Sequence, residues 1–279
     1  MNRWKFNAFA DEAGSLIDQQ IAAMKRNGIQ GLEIRSVDGE NISSISIQKA
    51  KEVRQKMDDA GLSVWALGSP IGKIDIDDPF EPHMELLRHT IEVGHVLGTK
   101  QIRMFSFYLP QEKKAEDYRG AVMDRMGCML EAAKEGDALL FHENEKGIYG
   151  DVAARCKDLF DTFPDLHGIF DPANLIQCGQ DPWEAWELLK SHIDYLHIKD
   201  ALKDGTVVPA GRGVGHVKEI MKSYAQQGGV YLTVEPHLKV FDGLQALERE
   251  GEKTQLGAYI YDTNDLAFDA ACAALRTLL

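Results

Sequence analysis

The chain has no long apolar run, no C-x-x-C pair and a deficit of basic residues, and each shortage excludes something. No stretch approaches the roughly 18 consecutive apolar residues that a membrane-spanning helix needs. The opening MNRWKFNAFADEAG also lacks the apolar core of a signal peptide. The expectation is a cytoplasmic protein with no membrane partner. Cys128, Cys156, Cys178 and Cys272 are scattered singly, the pattern of reduced, small apolar residues and not of a zinc knuckle or disulfide frame. Lys and Arg number 31 against 44 Asp and Glu, giving a net charge of −13 and an isoelectric point near 5.1. That balance repels polyanions, so nucleic acid is a poor partner and a small neutral or metal-bound substrate a better one.

Alternation is what the sequence does have. Short apolar runs of strand type recur about every 30 residues, at 5–10, 31–35, 62–68, 101–108, 137–143, 167–171, 193–199 and 230–235. Each is followed by an amphipathic stretch with one buried stripe: Ile17, Ile21 and Met24 in the first, Ala50, Val53 and Met57 in the second, Phe268, Ala271, Cys272 and Leu275 in the last. Eight βα units with no linker or composition break predict a single (β/α)8 TIM barrel over residues 1–279. Two segments stand outside the pattern. ALKDGTVVPAGRGVGH, with five glycines and prolines between Gly205 and Gly215, reads as a functional loop. The long segment 237–262 before the last helix is a candidate lid or a contact in a homo-oligomer.

Runs five to eight each stop at a residue able to bind a metal: Glu143 in FHENE, Asp171 in IFDPAN, His197 in YLHIKD and Glu235 in LTVEP. In a parallel barrel the carboxyl ends of the strands form the mouth where chemistry is done, and neighbouring strands lie about 4.8 Å apart, so four successive strand ends converge. Three carboxylates and one imidazole form an oxygen-rich set suited to one divalent ion, Mn²⁺, Mg²⁺ or Co²⁺ before Zn²⁺. An octahedral ion so held keeps open positions that two adjacent oxygens of a hydroxy-ketone can fill.

The order Glu, Asp, His, Glu on strands five to eight, with the FHENE, FDPAN, LHIKD and VEP segments, resembles the xylose isomerase-like barrel superfamily and within it the sugar phosphate isomerase/epimerase group. The resemblance implies that Glu143, Asp171, His197 and Glu235 bind one divalent metal and that Glu143 and Glu235 form the acid/base pair. It implies a small sugar or sugar-like substrate, isomerised or epimerised by proton abstraction next to a chelated carbonyl. It also points to Arg212, in GRG, as a contact to substrate oxygens. Further substrate candidates are Glu33, Lys73, His237 and Asn174. A solvated loop arginine, a satisfied rim carboxylate, a surface lysine and an exposed rim histidine are their alternative readings. Asn174 stands where family members often carry a histidine that touches substrate or a further metal, a role for which an amide is poorly suited.

Among the neighbours, Asp200 is expected to orient a ligand and His142 to turn away from the mouth. Trp183 and Trp186 are expected to pack, and Trp65 to be core or pocket wall. Competing readings are a metal-dependent dehydratase of a keto-acid or inosose and a non-catalytic sugar-binding barrel. The zinc-dependent DNA-repair endonucleases that share the fold are disfavoured by Asn174 and by the acidic balance.

Overall fold

Eight parallel strands hydrogen-bond in sequence order around a closed ring, the last pairing with the first. They are β1 (Lys5–Ala8), β2 (Gly31–Ile34), β3 (Ser63–Leu67), β4 (Gln101–Met104), β5 (Leu139–Glu143), β6 (His167–Phe170), β7 (Ile193–Ile198) and β8 (Tyr231–Val234). The computed structural model describes residues 4–110, 112–242, 244, 255–257 and 259–279. All eight apolar runs contain a barrel strand, and the fold is the TIM barrel that the alternation predicts.

The helices around the ring are α1 (Ile17–Arg26), α2 (Ile47–Asp59), α3 (Glu81–Leu97), α4 (Arg119–Glu135), α5 (Ala153–Thr162), α6 (Pro172–Gln177), α7 (Pro182–Leu189), α8 (Val217–Gln226) and α9 (Asn264–Thr277). Local chemistry sets their ends. Ser46, Asp181 and Thr263 accept backbone N–H groups in the first turns of α2, α7 and α9, and Gly98 closes α3 in the left-handed region at φ 79°. Among the described helices, the one that periodicity does not reveal is α6, whose six residues are too few to show a stripe.

Strand alternation divides the interior into two layers. Residues facing outward, among them Leu32, Ile34, Leu140, Phe170, Leu196 and Val234, are fully buried beneath the helices in one continuous core. Those facing inward at the floor of the ring form a separate aromatic plug. Phe141, Ile169 and Tyr195 pack there with Trp65 and Tyr231, whose rings stack at 4.0 Å between centroids. Trp65 is thus a wall of the barrel floor. Trp186 is fully buried edge-on to Phe170, and Trp183 packs on the same core, as expected. One step above the floor the inward positions turn polar, and that change places the site at the carboxyl mouth.

Of the long segment 237–262, residues 243, 245–254 and 258 lie outside the described residues. Among the described residues no helix is long and apolar enough to cross a membrane.

Candidate metal centre

Glu143, Asp171, His197 and Glu235 are brought together. Each offers one donor atom, all four atoms lie within 4.8 Å of one another, and all four residues are buried. Their placement follows from the chain. Glu143 is two residues beyond Phe141 and His197 two beyond Tyr195, so both stand directly above the aromatic plug. Asp171 is the N-cap of α6, with Pro172 in the first turn; its Oδ1 accepts the N–H of Asn174 at 3.0 Å while Oδ2 faces the cluster. Asn144 ties the ends of β5 and β6 through two hydrogen bonds with the Asp171 backbone, 2.9 and 2.8 Å long.

The imidazole is fixed from both sides. His197 Nδ1 lies 2.8 Å from Glu143 Oε1 and 3.5 Å from Glu235 Oε2, while Nε2 lies 3.2 Å from Glu33 Oε1. Tyr195 donates its hydroxyl to the same Glu33 oxygen at 2.9 Å. Glu33 is therefore not on the rim: it is fully buried beneath His197, an anion that aims Nδ1 at the three carboxylates. Phe9 braces the ring edge-on at 5.2 Å, with the guanidiniums of Arg35 and Arg103 over its own faces at 4.6 and 4.9 Å.

Three buried cations that the sequence reading did not single out complete the arrangement. Arg103 Nη1 donates to Glu143 Oε2 at 3.0 Å. Arg35 reaches Glu235 Oε1 at 3.3 Å and Glu12 Oε1 at 3.2 Å, and pairs with both oxygens of Asp11. Lys199 Nζ lies 2.8 Å from Asp171 Oδ2 and 3.1 Å from Glu235 Oε2. The signal was available: Arg35 is two residues beyond Glu33 and Lys199 two beyond His197, so alternation turns each to the same side as its neighbour.

These charges set the protonation pattern. Burial would raise the Glu143 carboxyl, but His197 and Arg103 outweigh it and bring it down to about 2. Glu235 is likewise opposed by burial and held well below the carboxylate range by Lys199, His237 and His197. Asp171 is lifted to about 7 by burial first, Lys199 opposing, and then by the nearby Glu235 and Glu143. For His197 burial favours the neutral ring, yet Glu143 and Glu33 raise its affinity for a proton. Three hard carboxylates, an oriented imidazole and buried countercharges fit a divalent cation, whose charge would be held by Glu143, Asp171, His197 and Glu235.

The remaining candidates scatter. Asn174 reaches Asn144 O at 2.9 Å and Glu143 Oε1 at 3.5 Å, and lines the cleft over the cluster. His237 lines it too; its backbone, at φ 42°, donates to Glu12 Oε2 at 2.6 Å, and burial drives its pKa well below the usual value. Lys73 forms part of the cleft wall, 3.0 Å from Glu145 Oε2. Arg212 is exposed and outside the residues that line the cleft. Asp200 does not orient a ligand. Its carboxylate accepts the N–H groups of Gly211, Gly213 and Gly215, each at 2.9 Å, and so folds the glycine-rich loop. His142 faces the helices as expected, 2.9 Å from Ser106 Oγ and edge-on to Phe160.

A closed (β/α)8 ring with a buried carboxylate–imidazole cluster at its carboxyl mouth defines the class. Residues 21–253 match the Xylose isomerase-like TIM barrel family, and the chain belongs to it. A curated relative, the uncharacterized protein YihM of Escherichia coli K12, is 23% identical over 194 residues, 68% of this chain. The chain spans about half, 53%, of that relative's length. Three solved structures share the fold. The probable 3-DHS dehydratase AsbF of Bacillus anthracis superposes with a TM-score of 0.74 at 15% identity, covering 98% of both chains. D-allulose 3-epimerase from Methylomonas gives 0.71 at 16%, covering 100% of this chain and 99% of that one. The 3-keto-D-glucoside 4-epimerase YcjR of E. coli gives 0.69 at 15%, covering 99% and 98%.

Proposed function

We propose that the protein is a divalent-metal-dependent isomerase or epimerase of a small ketose or related polyol-ketone, with Glu143 and Glu235 carrying the proton. The observation that supports this most is that the two glutamates flank one imidazole nitrogen, 2.8 and 3.5 Å away, each with its own buried cation. Arg103 holds Glu143, and Arg35 with Lys199 holds Glu235, so both carboxylates are ionised and fixed, the state a base requires. A divalent ion held by Glu143, Asp171, His197 and Glu235 would supply several kcal/mol by polarising a carbonyl and its neighbouring hydroxyl. One glutamate takes the proton from the carbon next to that carbonyl, and the other, or the same one, returns it. A positioned carboxylate contributes about 10²- to 10⁴-fold.

Dehydration is the second reading, since loss of water from a keto-acid or inosose begins with the same proton abstraction. The fold neighbours carry the names of both a probable dehydratase and epimerases. The test is incubation of metal-loaded protein with ketoses, inososes and keto-acids in deuterated water, reading solvent deuterium at carbon, mass-neutral isomers and loss of water. Isomers with exchange support the proposal, water loss supports the dehydratase, and binding without exchange leaves a sugar-binding barrel. Glu143→Gln and Glu235→Gln should each abolish exchange; full activity in either removes that residue from the role.

A further inference from the structure

The chain is strongly acidic, yet the cleft that opens onto the cluster is walled by Lys73, Lys146, Lys199 and Arg103, against Glu145 and Glu235. Two of these lysines are built into the site. The Lys199 side chain is 7% exposed, and both of its ion-pair partners, Asp171 and Glu235, belong to the candidate metal set. The Lys73 side chain is 8% exposed, paired with Glu145 and lying 4.4 Å over the ring of Phe105. It is carried on a loop whose Gly72 amide donates to His83 Nε2 at 2.7 Å. The two ammonium groups thus come from separate elements, the loop after β3 and the end of β7, to one cleft.

We propose that the substrate carries an acidic group, a carboxylate or phosphate on a small hydroxy-ketone, and that Lys199 and Lys73 receive it. This rests on the metal-dependent reading above. Once Asp171 and Glu235 share their charge with a divalent ion, Lys199 is a buried cation with much of its neutralisation withdrawn, and such a charge is costly unless an anion faces it. A neutral sugar offers only hydroxyl dipoles there. An anionic substituent restores the balance and, on a chain of net charge −13, gains selectivity from the basic residues gathered in this cleft.

The test uses three ligands with no stereocentre: dihydroxyacetone, hydroxypyruvate and dihydroxyacetone phosphate, titrated calorimetrically into Mn²⁺-loaded protein. At least one anionic ligand should bind more than tenfold tighter than dihydroxyacetone. The carboxylate and phosphate arms show which acid fits. Lys199→Met and Lys73→Met should each reduce that preference several-fold, which separates the lysines from chelation of a keto-acid by the metal alone. Equal binding of the three by the unaltered protein, including no binding of any, overturns the proposal without requiring a variant to fold. So does a preference unchanged in both variants. If Mn²⁺ binds but the acid preference is missing, this proposal fails and the metal-dependent function stands; if no divalent ion binds, both fail.

Discussion

His197 Nε2 stands 3.2 Å from Glu33 Oε1, so a carboxylate contributed by β2 holds the imidazole at the end of β7 from beneath. Carboxylates that orient a metal-binding histidine are typically worth roughly 10- to 100-fold in affinity. Glu33→Ala should weaken Mn²⁺ binding by about that factor while leaving Glu143, Asp171 and Glu235 in place, with Glu33→Gln between the two. Calorimetric titration decides it, and an unchanged affinity would show that Phe9 and Glu143 suffice to hold the ring.

Metal binding should be proton-linked. Burial, with Glu235 and Glu143 close by, lifts the Asp171 carboxyl to about 7, and Glu143 and Glu33 favour the protonated His197 ring against burial. Raised values mean that protons compete with the cation at acid pH, so affinity should climb as pH rises through about 7 and binding should release protons. At saturating metal, near 100 times Kd, the fold should gain about 2.7 kcal/mol, reversed by chelator. Titrations in buffers of different ionisation enthalpy report the proton count; binding that weakens with rising pH would contradict the ligand set.

A second pH effect belongs to the loop that carries Lys73. His83 Nε2 accepts the Gly72 amide at 2.7 Å, which requires an unprotonated nitrogen. Burial, and then Arg125, lower its pKa from 6.5 to about 4. For a base with a depressed folded value, the unfolded chain takes the proton first. The contribution to stability is therefore present above 6.5 and is lost as pH falls through 4. Thermal melts should show that acid loss in the native protein and a smaller one in His83→Gln. Equal slopes would mean that other groups dominate.

Asp200 and Glu33 provide a contrast. Asp200→Ala leaves three loop amides without their acceptor and should cost at least about 2 kcal/mol, a low figure for lost bonds to a buried charge. Its metal affinity should stay near that of the native protein, because Asp200 organises the loop and not the cluster. Denaturant unfolding and metal titration on the same variant separate the two; a large fall in affinity with little loss of stability would reverse the assignment.

The amino-acid sequence was most legible where a rule of period applies. Strand alternation and helical stripes each act within one element, so eight apolar runs and eight of the nine described helices could be read, and the four strand-end residues with them. The segment DPAN defeated that reasoning: the cap made by Asp171 and Pro172 starts a helix only six residues long. Glu33 is satisfied by neighbours, Tyr195 and His197, but below the rim, and that depth is not legible in the sequence. Whether a carboxylate ends on the rim or beneath an imidazole depends on the stagger of β2 against β7, strands three steps apart around the ring with β1 and β8 between them.

Order along the chain by itself determined the barrel, the mouth at which its chemistry would sit, and the identity of the four groups that meet there, because these follow from local periodicity and strand ends. Only the tertiary structure decided which charges stand opposite one another: Arg103 on Glu143, Arg35 and Lys199 on Glu235, Glu33 under His197, Asp200 on the glycine loop. Ion pairing in a closed ring depends on distances across the barrel, and Arg35 and Glu235, 200 positions apart, acquire that distance only when the ring closes.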